Sequence, residues 1–382
     1  MLIRLLIMRF FQSANVLGVI LTLYYRAHGL NYTQILSFEI ILSLTMAAAT
    51  VPLGVWADRH GRVRALKCGS ALFMVAAGVF LWAHAYWQFV LSDALYGLGL
   101  AWQSGADTAL LSAGGTSWFS RYEAVGALAG GASSLLAGWV LQAHGMHALV
   151  VLNAAAAGLA SLSIATLPHD RPQWAAARSD SPLPGARDAW RHIAAAPWLL
   201  AWATAAAVGF RLVGINLMFL DLPLWVSAGW HGVWLGVGVT ILYAAGWASL
   251  LAPRVQARLD PRLLLTLSQV LAGSLVLVLP TLSSPWALTG FMAGALMLQS
   301  LQGPVTHSLM AQALPDPIRV SALSILDLPS LAVTVAGELG VGMLADHSLP
   351  LALSASGAAV MAAAVLWWIP RRGSAPQGSA AG

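Results

Sequence analysis

Five ionisable side chains lie inside long apolar runs: Glu39, Asp93, Arg211, Asp327 and Glu338. A charge in hydrocarbon costs roughly 2.5–3.5 kcal/mol at a helix centre, so such groups face a cavity or a partner. At 1.5 Å of rise per residue, Glu39 and Asp93 lie ~9 Å from one and the same end of their runs, Glu338 ~10 Å and Arg211 ~13 Å. Four groups on four runs thus share one level, whereas Asp327 lies ~10 Å from the opposite end. Three acids and one base at that level leave a carboxylate without a full partner, and such a group can take up and release a proton. Neutral polar residues join them: Gln12, Asn15, Gln103, Asn216, Gln299, Gln302, Thr306 and His307. Gln299 and Gln302 stand out because they share a helix face beside Gly303-Pro304, which can open the backbone. No convergent nucleophile and acid–base pair is visible at one depth, so the chain is read as no enzyme. His144 and His147 lack a third ligand nearby, Cys68 is the single cysteine, and no phosphate-cradling loop with lysine occurs. No metal, cofactor or ATP is therefore expected.

The elements that must carry these groups follow from composition. Of 382 residues, 59% are hydrophobic and 9% charged. A soluble domain carries about 25% charged residues, so the solvent here must be lipid. The basic balance is scattered over short loops rather than gathered into a docking face, which excludes nucleic acid as a partner. A helix needs roughly 20 apolar residues to cross the hydrocarbon. Runs of that kind occur at 4–25, 34–57, 66–84, 87–109, 124–143, 147–167, 197–220, 232–252, 263–282, 286–308, 320–345 and 349–369. The first is read as a retained span, since no small-residue cleavage site follows it. The expected fold is thus an all-α membrane protein of twelve transmembrane helices in two bundles of six.

Charge sets the orientation. All but two of the 19 Lys and Arg fall on one alternating set of loops and termini, the exceptions being Arg26 and Arg211. Positive loops stay cytoplasmic, so both termini are expected inside. Residues 168–196, with Pro168, Pro172, Pro182 and Pro184, cannot bury a core and read as a cytoplasmic linker between the bundles at 1–167 and 197–370. A short surface helix is expected near 186–195, and 371–382 reads as a disordered cytoplasmic tail. Trp87 and Trp230 stand at span ends as interfacial anchors. Asn31-Tyr-Thr33 matches a glycosylation sequon, but the short loops and Ala/Arg-rich usage point to a bacterial inner membrane.

The loop between the second and third spans reads Gly54-Val-Trp-Ala-Asp58-Arg59-His-Gly61-Arg62-Val-Arg64. It resembles the signature loop of the major facilitator superfamily, glycine-x-x-x-Asp-Arg-x-Gly-Arg-x-Arg, at the family's own position. A weak internal echo, Arg121–Gly126 against Arg319–Ser324, suits two parallel halves related by an axis along the membrane normal. The resemblance implies a secondary transporter working by alternating access, acting as a monomer on a small-molecule substrate in the lipid bilayer. It implies that Asp58 holds the cytoplasmic gate against the start of the eleventh span near Arg319, while Asp107 pairs with Arg62 or Arg59. It also implies that spans 1, 4, 7 and 10 line a central cavity, with Asp93 and Arg211 on its wall and Glu39 and Glu338 at the outer seam. On this basis Asp93, Glu39 or Glu338 carries a coupling proton, and Arg211 modulates it or binds an anionic substrate group.

Likeness to drug and tetracycline-type efflux members suggests proton-coupled export. The sequence departs from them where Asp93, four residues before Gly97, replaces an arginine, and where the span-5 glycines lack a Gly-Pro pair. An uptake permease for a small polar metabolite, served by Arg211 and the paired glutamines, is the alternative. A sensor or assembly factor on the same scaffold is the reading from another class.

Overall fold

The computed structural model describes residues 2–14, 16–103, 106, 115–167, 186–314, 322, 325–326 and 328–370. Among them every regular element is helical. Asp107, Arg319, Asp327 and Asn15 lie outside the described residues, as do the side chains of Asp58, Arg59 and His307.

The first run does not form one continuous helix. α1 (Leu2–Ser13) ends early, a single 3₁₀ turn covers Leu17–Val19, and α2 (Leu21–Ala27) completes it. α3 (Tyr32–His60) follows, started by Asn31, whose side chain accepts from the Gln34 backbone at 2.8 Å while Gln34 Oε1 accepts from the Asn31 N–H. This reciprocal capping box satisfies two otherwise orphaned donors, so the sequon-like triplet serves as a helix start. Gly61, at φ 105°, turns the chain into α4 (Arg62–Leu81), which leads to α5 (Tyr86–Gln103).

α6 (Gly115–Ala165) is 51 residues long and breaks at Gly145, where φ is 77°. Only glycine adopts that left-handed geometry without strain, so His144 and His147 flank a reversal. Its far end is capped by two cations: Arg4 donates to the Thr166 carbonyl, and Lys67 Nζ donates to that of Leu167 at 3.0 Å. Basic residues that mark topology thus also neutralise exposed carbonyls at a helix C-terminus and tie α1, α4 and α6 together.

α7 (Ala186–Ala195) is the short helix expected within the segment 168–196, though Ile193 is buried against the helices that follow rather than lying on the surface. α8 (Pro197–Ile215) continues through a π-helical stretch, Asn216–Leu220, into α9 (Asp221–Ser227). α10 (Val233–Ala245) passes through a 3₁₀ segment to α11 (Ala252–Gln256), followed by α12 (Pro261–Val278) and α13 (Pro285–Gln312). α14 (Leu328–His347) and α15 (Leu349–Ala363) close the chain.

Nine stretches among the described residues are long and apolar enough to cross a membrane, one of them the 42-residue Ala124–Ala165 that contains the Gly145 break. The core is not evenly shared. One cluster joins residues on both sides of the linker, such as Ile20, Ile35 and Phe89 with Trp225, Val239 and Leu353. Two further clusters lie apart. Leu5, Met8, Leu66 and Ile164 form one, all from before the linker, and Trp202, Leu265, Val305 and Trp367 form the other, all from after it. Among the described residues, packing across the linker is thus concentrated in the first of these clusters.

Further contacts join the set of helices before the linker to the set after it. The Asp346 carboxylate accepts from the Tyr32 N–H at 2.6 Å, the Thr33 N–H at 3.1 Å and the Thr33 hydroxyl at 2.6 Å. Thr22 Oγ1 donates to the Phe219 carbonyl at 2.9 Å. Gly138 and Gly236 bring α6 and α10 so close that a Cβ on Gly138 would sit 3.0 Å from Val233 Cα. Trp87 is exposed as an anchor would be, but Trp230 is buried. The turn at Gly229 folds it back so that its N–H meets the Trp225 carbonyl at 2.8 Å and its ring meets Trp286 edge-on at 5.0 Å. Trp234 and Trp286 are the exposed rings of that cluster.

Candidate functional site

Gly97 explains how two acids come to face each other. A Cβ there would lie 2.6 Å from the Leu42 carbonyl oxygen, so its absence lets α5 lie directly on α3. Asp93, one turn before Gly97, and Glu39, three residues before Leu42, are thereby turned toward the same space. Both line a cavity of about 620 Å³. Asp93 Oδ2 is buried with no hydrogen-bond partner.

The cavity is walled by α1 through α6, with Met218 and Phe219 of the π-helical stretch and Tyr243 of α10 reaching in from after the linker. Gln12 lines it as anticipated, and its Nε2 is buried without a partner. Arg9, read from the sequence only as a basic residue opening the first span, also lines it. Its guanidinium lies over the Tyr122 ring, 4.7 Å from the centroid. Gly126 makes room for it, since a Cβ there would meet Arg9 Nε at 2.6 Å. Asn153, from the second part of α6, is a polar wall residue that the sequence reading missed. Both escaped notice because nothing in sequence says which face of a span looks inward.

Arg211 and Glu338 are not on this cavity wall. Arg211 Nε donates to Ser330 Oγ at 3.1 Å, which ties α8 to α14. Among the described residues no carboxylate comes within ion-pairing distance of it. Glu338 is 1% exposed, and its Oε2 has no partner. Glu39 is nevertheless near enough to Arg211, Asp93 and Glu338 for their charges to interact. Glu39 therefore sits both on the cavity wall and at the seam between α3 and α14, not at the seam alone.

Of spans 1, 4, 7 and 10, expected to line a central cavity, the first three reach this space, through residues such as Gln12, Asp93 and Met218. Helices of the first set supply nearly all of it, and α13 supplies none. Gln299 and Gln302 are instead buried in the second set. Gln299 Nε2 donates to the Phe210 carbonyl, while its Oε1 has no partner. Neither polar atom of Gln302 has one, nor has Thr306 Oγ1. Asn216 Nδ2 donates to the Leu212 carbonyl at 2.6 Å and leaves its Oδ1 unpartnered. Gln103 is also buried, with its Nε2 donating to Ser70 Oγ at 3.3 Å, an ordinary interhelical bond.

One intramembrane acid escaped the sequence reading. Asp221 is 4% exposed, and its Oδ1 accepts from the Leu222 N–H at 2.7 Å. The expected span stopped one residue short of it. The π-helical stretch carries the helix past that point and buries the carboxylate, and the polar Asn216 five residues earlier was the available signal. Among the described residues no group of three or more His, Cys, Asp or Glu could hold a metal ion.

The described residues thus form a helical membrane body with a cavity that has ionisable groups on its wall. The sequence matches the Major Facilitator Superfamily over residues 5–297, and the chain belongs to that family. It is a transporter rather than an enzyme. Solved structures with the same fold include a variant of the nucleoside transporter NupG, with a TM-score of 0.78, 14% identity, and 96% of this chain and 97% of that one covered. A bacterial homolog of the human lysosomal transporter Spinster, in an inward-facing and occupied conformation, matches at 0.75 and 14%, covering 96% and 95%. The peptide transporter POT in complex with sulfate matches at 0.74 and 15%, covering 96% and 93%. None of the curated proteins compared by sequence matches this chain.

Proposed function

We propose that the chain is a secondary active transporter that moves a small molecule by alternating access, exporting it in exchange for protons. The observation that carries this reading is the cavity with Asp93 and Glu39 on its wall, in a body whose helices are joined where Asp346 meets Thr33. In this reading twelve helices cross the membrane. The Ala124–Ala165 stretch counts as two because of Gly145, and α5 and α13 cross despite their polar residues. The halves are 1–167 and 197–370, with the linker at 168–196 and both termini in the cytoplasm of a bacterial cell. In this reading the Asp346 end is external, the joined end makes this the inward-facing state, and the chain acts as a monomer.

Reconstitution into vesicles with an imposed pH gradient, screened over a compound panel, tests this. Gradient-driven flux that survives neutralising Asp93, Glu39 and Glu338 one at a time would reject proton coupling. The signature loop supplies an independent arm: Asp58→Asn is expected to impair transport while insertion stays intact, and full transport would remove the gating role.

Uptake of a small polar metabolite is the second reading, and Gln302 favours it. An amide with neither end bonded is expensive to bury, and a hydrogen-bonding solute reaching it would relieve that cost. The likeness in fold to a nucleoside transporter fits such cargo. Vesicles loaded with nucleosides or amino acids distinguish the direction. Accumulation driven by an inward proton gradient would support uptake, and extrusion would support export.

A further inference from the structure

The cavity is polarised in a way that specifies its ligand. Glu39 and Asp93 stand together on its wall, and Asp93 Oδ2 is buried with no partner. Around them are the rings of Tyr25, Phe38, Phe73, Phe80, Tyr96 and Phe219. The guanidinium on the wall, Arg9, lies against Tyr122. We infer that this space binds an aromatic monocation within the first set of helices, its charge on Asp93 and Glu39 and its rings against the aromatic walls.

A buried cation must be paired or the desolvation cost prevents binding. An unpartnered carboxylate oxygen meets that need, and ring faces attract the positive charge further when water is excluded. An anion of the same shape meets two acids against the one guanidinium of Arg9, which already lies over the Tyr122 ring. A neutral polar solute could donate a hydrogen bond to Asp93 Oδ2 but would leave the carboxylate charge unpaired and set its polar groups against aromatic surface. The volume, about 620 Å³, lies within the range of pockets that enclose a drug-sized molecule. From after the linker, Met218, Phe219 and Tyr243 are the described residues that touch this space, so most of its wall belongs to the first set of helices. The buried amides of α13 play no part in it. This ligand class rests on reading the chain as a transporter whose solute enters this cavity.

Tetraphenylphosphonium and tetraphenylborate have nearly the same shape and opposite charge, and they test the inference directly. Binding of each to the purified full chain in detergent is measured calorimetrically against empty micelles. The phosphonium is expected to bind at least about tenfold more tightly, which is roughly 1.4 kcal/mol. Asp93→Asn should erase that preference, and Asp93→Glu should keep most of it. Met218→Trp narrows the same space without touching a charge and should weaken phosphonium binding. Equal binding of the two ions, a preference unchanged by Asp93→Asn, or full phosphonium affinity in Met218→Trp each overturns the proposal. Melting temperatures of the variants separate loss of fold from loss of the site. Binding is read without transport, so the two readings fail separately. Solute exchange across vesicles without charge selectivity removes the ligand class alone, and cation-selective binding in a chain that exchanges nothing removes the transport reading alone.

Discussion

Asp346 and Thr33 join the two sets of helices by a charged cap: one carboxylate on α14 accepts from the Thr33 hydroxyl at 2.6 Å and from two backbone N–H groups that open α3. The N-terminus of a helix carries unsatisfied donors and a partial positive charge, and an anion there is stabilising. This cap is supplied by a distant helix, so closing it also closes the seam. Gly342, one turn before Asp346, permits the approach, since a Cβ there would lie 2.8 Å from Thr33 Cα. The seam is thus specified twice, by charge and by the absence of a side chain.

Asp346→Ala should therefore loosen that end without unfolding either set. Losing a cap costs about 1 kcal/mol, and a loss of one or two kcal/mol shifts an equilibrium by a factor of about 5–30. Hydrogen exchange at the Tyr32 and Thr33 amides should quicken by that factor in Asp346→Ala and less in Asp346→Asn, which retains an acceptor. Unchanged exchange at both amides would show that the carboxylate does not hold the seam.

Gly97 offers a test of why Asp93 and Glu39 face one another. A methyl group at Gly97 would meet the Leu42 carbonyl at 2.6 Å, too close for any real contact. Gly97→Ala should cost about 1–3 kcal/mol through forced separation of α3 and α5. Gly78→Ala is the control, because nothing lies within 4 Å of a Cβ there. That change should be neutral or gain up to about 1 kcal/mol of helix propensity. Thermal unfolding in detergent reads both, and similar melting temperatures would mean that the tight α3–α5 approach is not needed.

That the chain is built of long apolar helices was legible from sequence because lipid forces them. The short helix over 186–195 could be read as well. Facing could not. Composition gives a residue's depth in a span but not the neighbour that covers it. Arg9 and Asn153 were thus missed as wall residues, and Trp230 was taken for an anchor although three other tryptophans enclose it. Asp221 was missed because one π-helical stretch displaced a boundary by a few residues. The sequon-like Asn31 motif had two meanings, and only the bonds to Gln34 chose between them.

Coupling can be separated from binding at Asp93. If its carboxylate carries the proton that moves inward as the solute leaves, Asp93→Asn should lower gradient-driven flux by roughly tenfold or more, about 1.4 kcal/mol in effect. Solute-for-solute exchange, which moves no net proton, should persist for neutral cargo. Parallel loss of both modes would place Asp93 in binding or folding instead of coupling.

Gln302 decides between a structural defect and a function kept at a cost. Leaving a buried amide unbonded costs about 1–3 kcal/mol, and replacing it with an apolar group of like shape can be neutral or stabilising. Both polar atoms of Gln302 are in that position, and its Oε1 lies close to Gly209, 2.9 Å from where a Cβ would be. Gln302→Leu should therefore leave the melting temperature unchanged or raise it. If the amide serves cargo, the same variant should lose flux while it gains stability, because the solute's hydrogen bond has no replacement. A variant that is both stable and fully active would mark Gln302 as a tolerated burden. One that melts earlier would mean that its amide is bonded in the working protein.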